Sequence, residues 1–163
     1  QLAWGRADML GSVLYDLADT SPHEAVFLQV RGGEDRLIDP DERILLIKRG
    51  HAPQQGRWTI PGGRVERGET LMEALARELV TETGLSARLL SLAEVVEYID
   101  ADHHYVILDY LADCPSGTLR AGDDADDARF LTLDELRSYP TTTGLLPVLE
   151  RALTLYRGQY RGQ

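Results

Sequence analysis

The sequence predicts an α/β (α+β) fold, a mixed sheet flanked by helices, on three observations. Runs such as EAVFLQV, RILLIKR, SARLLSLAEVVEYI and HHYVILDYLAD have the length and apolar content of strands. Two stretches, Thr70–Thr83 and Gly144–Tyr156, carry helical spacing, the first with capping signals at both ends. The two kinds of element mix without the strict βαβ rhythm of an all-parallel sheet. With 163 residues, 43% of them apolar and 27% charged, the chain is the size of one soluble domain. Folding at that length buries roughly 70% of the unfolded surface.

Taken in order, residues 1–23 read as an N-terminal extension, or as non-native residues ahead of a start at Met9, and the domain is placed at 24–157. EAVFLQV (24–30) is a strand, and RILLIKR (43–49), apolar without alternation, is a strand buried on both faces. The segment between them carries Gly32, Gly33, Pro40 and several acids, which is turn chemistry. Residues 50–69 form a long glycine-rich loop, and long loops in compact domains are often functional. Thr70 and Glu73 form a capping box, and Gly84 is a left-handed terminator. Two strands follow at 86–99 and 103–113, then an acidic loop AGDDADDA and a short strand ARFL (128–131). Thr132 and Glu135 cap a short helix, Gly144–Tyr156 is the last helix, and 158–163 are a tail.

Charge and cysteine content narrow the function. Lys+Arg 17 against Asp+Glu 27 gives a net charge of −10, which argues against nucleic acid as a partner, since that needs a basic face. Phosphorylated small molecules stay open, because divalent cations bridge carboxylates to phosphates. One cysteine, Cys114, forms no intrachain disulfide and suits a reducing cytoplasm. No apolar run reaches the 18 or so residues of a membrane span, and no signal peptide opens the chain, so no membrane partner is expected.

The informative stretch is GRVERGETLMEALARELVTETGL, Gly63–Leu85. On an ideal helix with Glu78 at 0°, Leu71 falls at about 20°, Glu82 at about 40°, Leu75 at about 60° and Leu79 at about 100°. Glu78 and Glu82 therefore share the face of the leucine stripe. Two carboxylates at the edge of a buried face repel and must desolvate, and a divalent cation between them resolves both costs. Oxygen ligands select a hard ion, Mg²⁺ or Mn²⁺. Taken alone, the pair fits a solvated surface helix as well, and Arg77 fits a simple i,i+4 partner of Glu73.

The spacing around that pair resembles the Nudix family, whose signature is Gly, five residues, Glu, seven residues, then Arg-Glu-apolar-any-Glu-Glu-any-Gly-apolar. Here Gly63, Glu69, Arg77, Glu78, Leu79, Glu82, Gly84 and Leu85 match, and Thr81 stands where the family has glutamate. The lead-in Trp58-Thr59-Ile60-Pro61-Gly62-Gly63 also looks like the family's. The resemblance implies a Nudix-type α/β/α sandwich and a metal-dependent pyrophosphohydrolase acting on a nucleoside diphosphate derivative: a nucleotide sugar, an ADP-ribose-like compound or a nucleoside triphosphate. It implies Glu78, Glu82 and the Gly63 carbonyl as ligands of Mg²⁺ or Mn²⁺, Arg77 as the group that orients them, and Glu69 as a contributor to the metal shell or to water positioning. Thr81 removes one carboxylate, and Asp124, with Asp123 second, is the acid expected to replace it; a solvated turn is the alternative. Glu97, Asp100 and Asp102 are weaker choices.

Arg49, Arg57 and Arg64 flank the loop and are candidates for substrate phosphates, while Tyr105, with Tyr98 and Phe130, is a candidate to stack on a base; core packing and charge balance are the plainer roles. His103 and His104 stand at a strand start and fit a structural or solvent role. Trp58 is expected to pack the loop down. The proline that marks ADP-ribose-type relatives some 15 residues past the box is absent, since that region reads Glu97-Tyr98-Ile99-Asp100, and the patterns of the NADH, coenzyme A and dinucleoside polyphosphate subclasses are absent too. Homodimers are common in the family, and no residue pattern marks one here. The competing expectation is a non-catalytic sensor of the same fold, for which Thr81 is the main support.

Overall fold

The computed structural model describes residues 26–30, 42–99, 101 and 104–159, with side chains given except at 26–30, 104, 113 and 114. The 1–23 extension, most of the 31–42 turn segment, Asp100, Asp102, His103 and the last four residues lie outside the described residues. The elements run β1 (Val26–Val30), β2 (Ile44–Arg49), β3 (Trp58–Thr59), α1 (Leu71–Thr83), β4 (Leu85–Ile99), β5 (His104–Gly117), β6 (Ala125–Leu131), α2 (Leu133–Leu136) and α3 (Leu145–Gln159).

Two three-stranded sheets form where one mixed sheet was expected. The first, in order β1-β5-β4, is mixed: β1 lies parallel to β5 (Val26 opposite Leu108) and β4 antiparallel to it (Leu85 opposite Gly117). The second, β3-β2-β6, is antiparallel throughout. Strand alternation places the helices on opposite faces. In β5, Ala112 packs with Leu75 and Leu79 of α1, whereas Leu111 packs with Ala152 and Tyr156 of α3. In β2, Leu45 joins the α1 side while Ile44 and Leu46 join Leu145, Leu149 and Leu153 of α3. The unalternated apolar run of β2 is thus explained: both its faces are core.

The capping signals hold. The Glu73 N–H donates to the Thr70 hydroxyl (3.3 Å), the Thr70 N–H donates to the Glu73 carboxylate (2.7 Å), and Gly84 closes α1 at φ 72°. Thr132 and Glu135 repeat the box at α2.

Four boundaries differ from expectation, and the first is β5, which runs to Gly117, four residues past its expected end. Trp58–Thr59, placed in a loop by its glycine-rich surroundings, pairs with β2 as a strand. The acidic loop ends at Asp124, because residues 125–131 ladder onto β2 and Lys48 stands opposite Asp127. Ladder hydrogen bonds and an opposite-charge pair there outweigh the poor strand propensity of aspartate. Helix α3 runs to Gln159, two residues into the expected tail.

Candidate functional site

Helix α1 presents its buried stripe to the core and carries two carboxylates along the edge. Glu82 is 7% exposed, and one of its oxygens accepts the Gly62 N–H at 2.7 Å. Burial pushes its carboxyl up to about 8, and the nearby charges of Glu78 and Asp124 push the same way, against the Gly62 hydrogen bond and the positive charge of Arg49. Glu78, one turn earlier, is likewise raised by burial, with Arg77 opposing.

Arg77 ties the loop to the helix. Its guanidinium donates to both oxygens of Glu69 (2.5 and 2.9 Å), to Glu78 (2.5 Å) and to the Arg64 carbonyl (2.8 Å). Its hydrogen bonds hold the Glu69 carboxyl below the usual range, while Glu69 also accepts the Glu66 N–H. Arg77 is therefore no surface partner of Glu73, whose carboxylate is spent on the cap. At Gly63 the loop comes so close to α1 that a Cβ there would stand 2.3 Å from a Glu78 oxygen, so any other residue would push the Glu78 carboxylate aside.

Asp124 arrives from the far side. Its carbonyl accepts the Gly50 N–H (3.0 Å), and the segment before it is tied to the end of α1, where the Arg120 and Gly122 N–H groups donate to the Thr83 and Glu82 carbonyls (2.9 Å each). The charge of Asp124 is among the influences that raise Glu78 and Glu82. Asp123 occupies the same turn and is exposed, as is Thr81 on the outer side of the helix. The His51 imidazole lies 3.5 Å from Asp124, a neighbour with no signal in the sequence beyond its place in the loop.

The donors suit a hard cation in kind: carboxylates of Glu78, Glu82 and Asp124, the first half-buried and the second buried, beside the close approach of the loop at Gly63. As placed, they are not drawn into a cage; among the described residues no three Asp, Glu, His or Cys side chains stand close enough to hold an ion. Arg77 holds one oxygen of Glu78 and the Gly62 N–H holds one oxygen of Glu82.

The remaining candidates divide. Arg49 is near enough to Glu82 to act on its charge, with its Nε donating to the Pro53 carbonyl (2.8 Å). Arg57 donates to the Thr141 carbonyl (2.9 Å), and Arg64 contributes its carbonyl to Arg77. Tyr105 stacks on Tyr98 (ring centroids 6.0 Å, 16° between planes) near the β4–β5 turn. Phe130 packs in the core beside α1. Trp58 is core as well, edge-on to Tyr139 and under the Arg129 guanidinium. Glu97 is exposed near the end of β4, and the side chain of His104 lies outside the described residues.

The model of the NUDIX domain family matches residues 36–152. A second model, Multiubiquitin, matches residues 1–51, less than half of the chain. The ADP-ribose pyrophosphatase of Methanocaldococcus jannaschii is 43% identical over 104 residues, 63% of this chain and 62% of that protein. The 8-oxo-dGDP phosphatase NUDT18 of Mus musculus is 33% identical over 89 residues, 55% of this chain and 27% of that one. The chain thus spans less than two thirds of the length of either relative. Among solved structures, the MutT NUDIX hydrolase of Burkholderia pseudomallei superposes with a TM-score of 0.64 at 35% identity, over 77% of this chain and 95% of that one.

Proposed function

This chain belongs to the Nudix family, and on that premise we propose that it is a metal-dependent hydrolase that cleaves the diphosphate linkage of a nucleoside diphosphate derivative. The observation that carries the proposal is the pair Glu78, half-buried, and Glu82, buried, on one face of α1 beneath the Gly62–Gly63 turn, with the charge of Asp124 acting on both. Glu78, Glu82, Asp124 and the Gly63 carbonyl would hold Mg²⁺ or Mn²⁺, which when bound neutralises phosphate oxygens and acidifies water. The chain's own part is placement. Arg77 fixes Glu69 and Glu78 relative to the loop, the Gly62 N–H fixes Glu82, and Arg49 supplies positive charge where a substrate phosphate would lie. Positioning and charge stabilisation are what phosphoryl chemistry chiefly asks of a protein.

For the substrate, the names of the two relatives both describe nucleoside diphosphate compounds, ADP-ribose and 8-oxo-dGDP. The first weighs against the missing subclass proline, so an ADP-ribose-like compound leads and an oxidised nucleoside diphosphate follows. The test is release of phosphate and nucleotide from ADP-ribose, 8-oxo-dGDP, nucleotide sugars and nucleoside triphosphates, with Mg²⁺, with Mn²⁺ and with a chelator. We expect release from one class that chelation abolishes. Tight nucleotide binding with no release under any metal would favour the sensor, with the outward, uncharged Thr81 as the reason.

A further inference from the structure

We infer that Gly122 and Gly50 are the positioning residues of the acidic centre: their bare Cα atoms let the 122–124 turn lie against α1 and β2, and that contact sets where Asp124 stands. The inference deepens the cation reading above and rests on it.

The last carbonyls of a helix have no partner within it. In α1 those of Glu82 and Thr83 are taken by the Gly122 and Arg120 N–H groups, so the segment after β5 is stitched along the helix end. A Cβ on Gly122 would stand 1.8 Å from the Thr81 carbonyl oxygen and 2.9 Å from the Glu82 Cα. These are helix backbone atoms and cannot swing aside, so any other residue lifts the turn off the helix. The Ala125 N–H closes back on the Gly122 carbonyl (3.1 Å), which leaves Asp123 and Asp124 within one tight turn. Its other end is held at β2, where a Cβ on Gly50 would meet the Asp124 carbonyl at 3.2 Å and an Asp126 oxygen at 3.1 Å. Glu82 is thereby fixed twice, by its carbonyl to Gly122 and by its carboxylate to Gly62. The Thr81 carbonyl lies against Gly122 while its side chain faces outward, and the turn held by that contact carries Asp124.

A plain turn-former would cost stability when replaced and nothing more. A positioning residue acts through Asp124, and a double-mutant cycle separates the two. Mn²⁺ affinity of the full chain without substrate is measured by titration calorimetry for the unchanged protein, Gly122→Ala, Asp124→Asn and the double variant, with thermal midpoints alongside. We expect each single change to weaken Mn²⁺ binding roughly tenfold or more, and the double variant to bind no more weakly than Asp124→Asn. Losses that multiply would overturn the inference. If Gly122→Ala does not fold, the gentler Gly50→Ala runs the same cycle against Asp124→Asn with the same two outcomes. Absence of Mn²⁺ binding in the unchanged chain would overturn the cation reading and this inference together, whereas binding with multiplying losses overturns this inference alone.

Discussion

Two acidic regions lie on opposite sides of the first sheet, and both hold a buried carboxyl whose protonation is raised. On the α1 side stand Glu78 and Glu82; on the α3 side Asp109, 2% exposed, faces Glu94 across the β4–β5 pairing. Burial pushes Asp109 up to about 7, with Glu94 adding and Arg151 opposing. Arg151 donates to one Glu94 oxygen (2.7 Å), while the other Glu94 oxygen and an Asp109 oxygen are buried without a partner among the described residues. The two regions therefore share burial and raised protonation, and these do not by themselves mark a site. What sets the α1 region apart is convergence: a backbone N–H aimed at Glu82, a glycine cradle against Glu78, a guanidinium shared between Glu69 and Glu78, and a solvent-facing third carboxylate. The α3 region has the Arg151 guanidinium on Glu94 and an Asp109 carboxyl buried in the strand pair, an arrangement that can accept a proton.

The comparison breaks most sharply at Glu82. Replacing it with Gln should cost roughly 100-fold or more in metal-dependent turnover, since disturbing only the groups behind a metal ligand costs about 10–100-fold. Unchanged turnover in the folded variant would put the two regions on the same footing. Arg77→Lys should follow with a loss of roughly 10–100-fold. An ammonium is a point charge and cannot span Glu69, Glu78 and the Arg64 carbonyl together; full activity in the lysine variant would remove Arg77 from the argument.

Asp109→Asn tests the other region through stability. The native carboxyl is raised, so between about pH 4 and about pH 7 the folded state holds a proton that the unfolded state has lost, and stability contributed by Asp109 falls as pH rises through that window. The asparagine variant, whose amide can donate to Glu94, should gain on the parent by about 1 kcal/mol or more between pH 5 and pH 8. Denaturant midpoints at the two pH values measure it, and turnover should be unaffected. A variant that tracks its parent across the range would show that Asp109 is compensated. The smallest effect is expected from Thr81→Glu, which adds an exposed carboxylate beside Glu82 and should tighten Mn²⁺ by several-fold; calorimetric titration reads it, and unchanged or weaker binding would show that a carboxylate at this outward position does not reach the centre.

Much of the α1 region was legible in order along the chain. Thr70, Glu73 and Gly84 fixed both ends of the helix, and the 100° step then put Glu78 and Glu82 on one face, because all of these are relations within a single helix. The β6 start was misplaced, since four aspartates in six residues read as a turn until β2 offers them a ladder. Asp109 carried no signal, because an acid in the middle of an apolar strand looks the same whether its face meets water or α3.

By itself, then, the sequence determined the register of α1, the family resemblance carried by its box, and the two glutamates at the centre. Tertiary structure alone decided that Asp109 is sealed away, and that Arg77 serves the loop rather than the helix surface. Local periodicity sets which side chains share a face, but which faces meet depends on ladder register and on how closely two backbones can approach, and at Gly63 and Gly122 that approach is set by atoms the chain does not have.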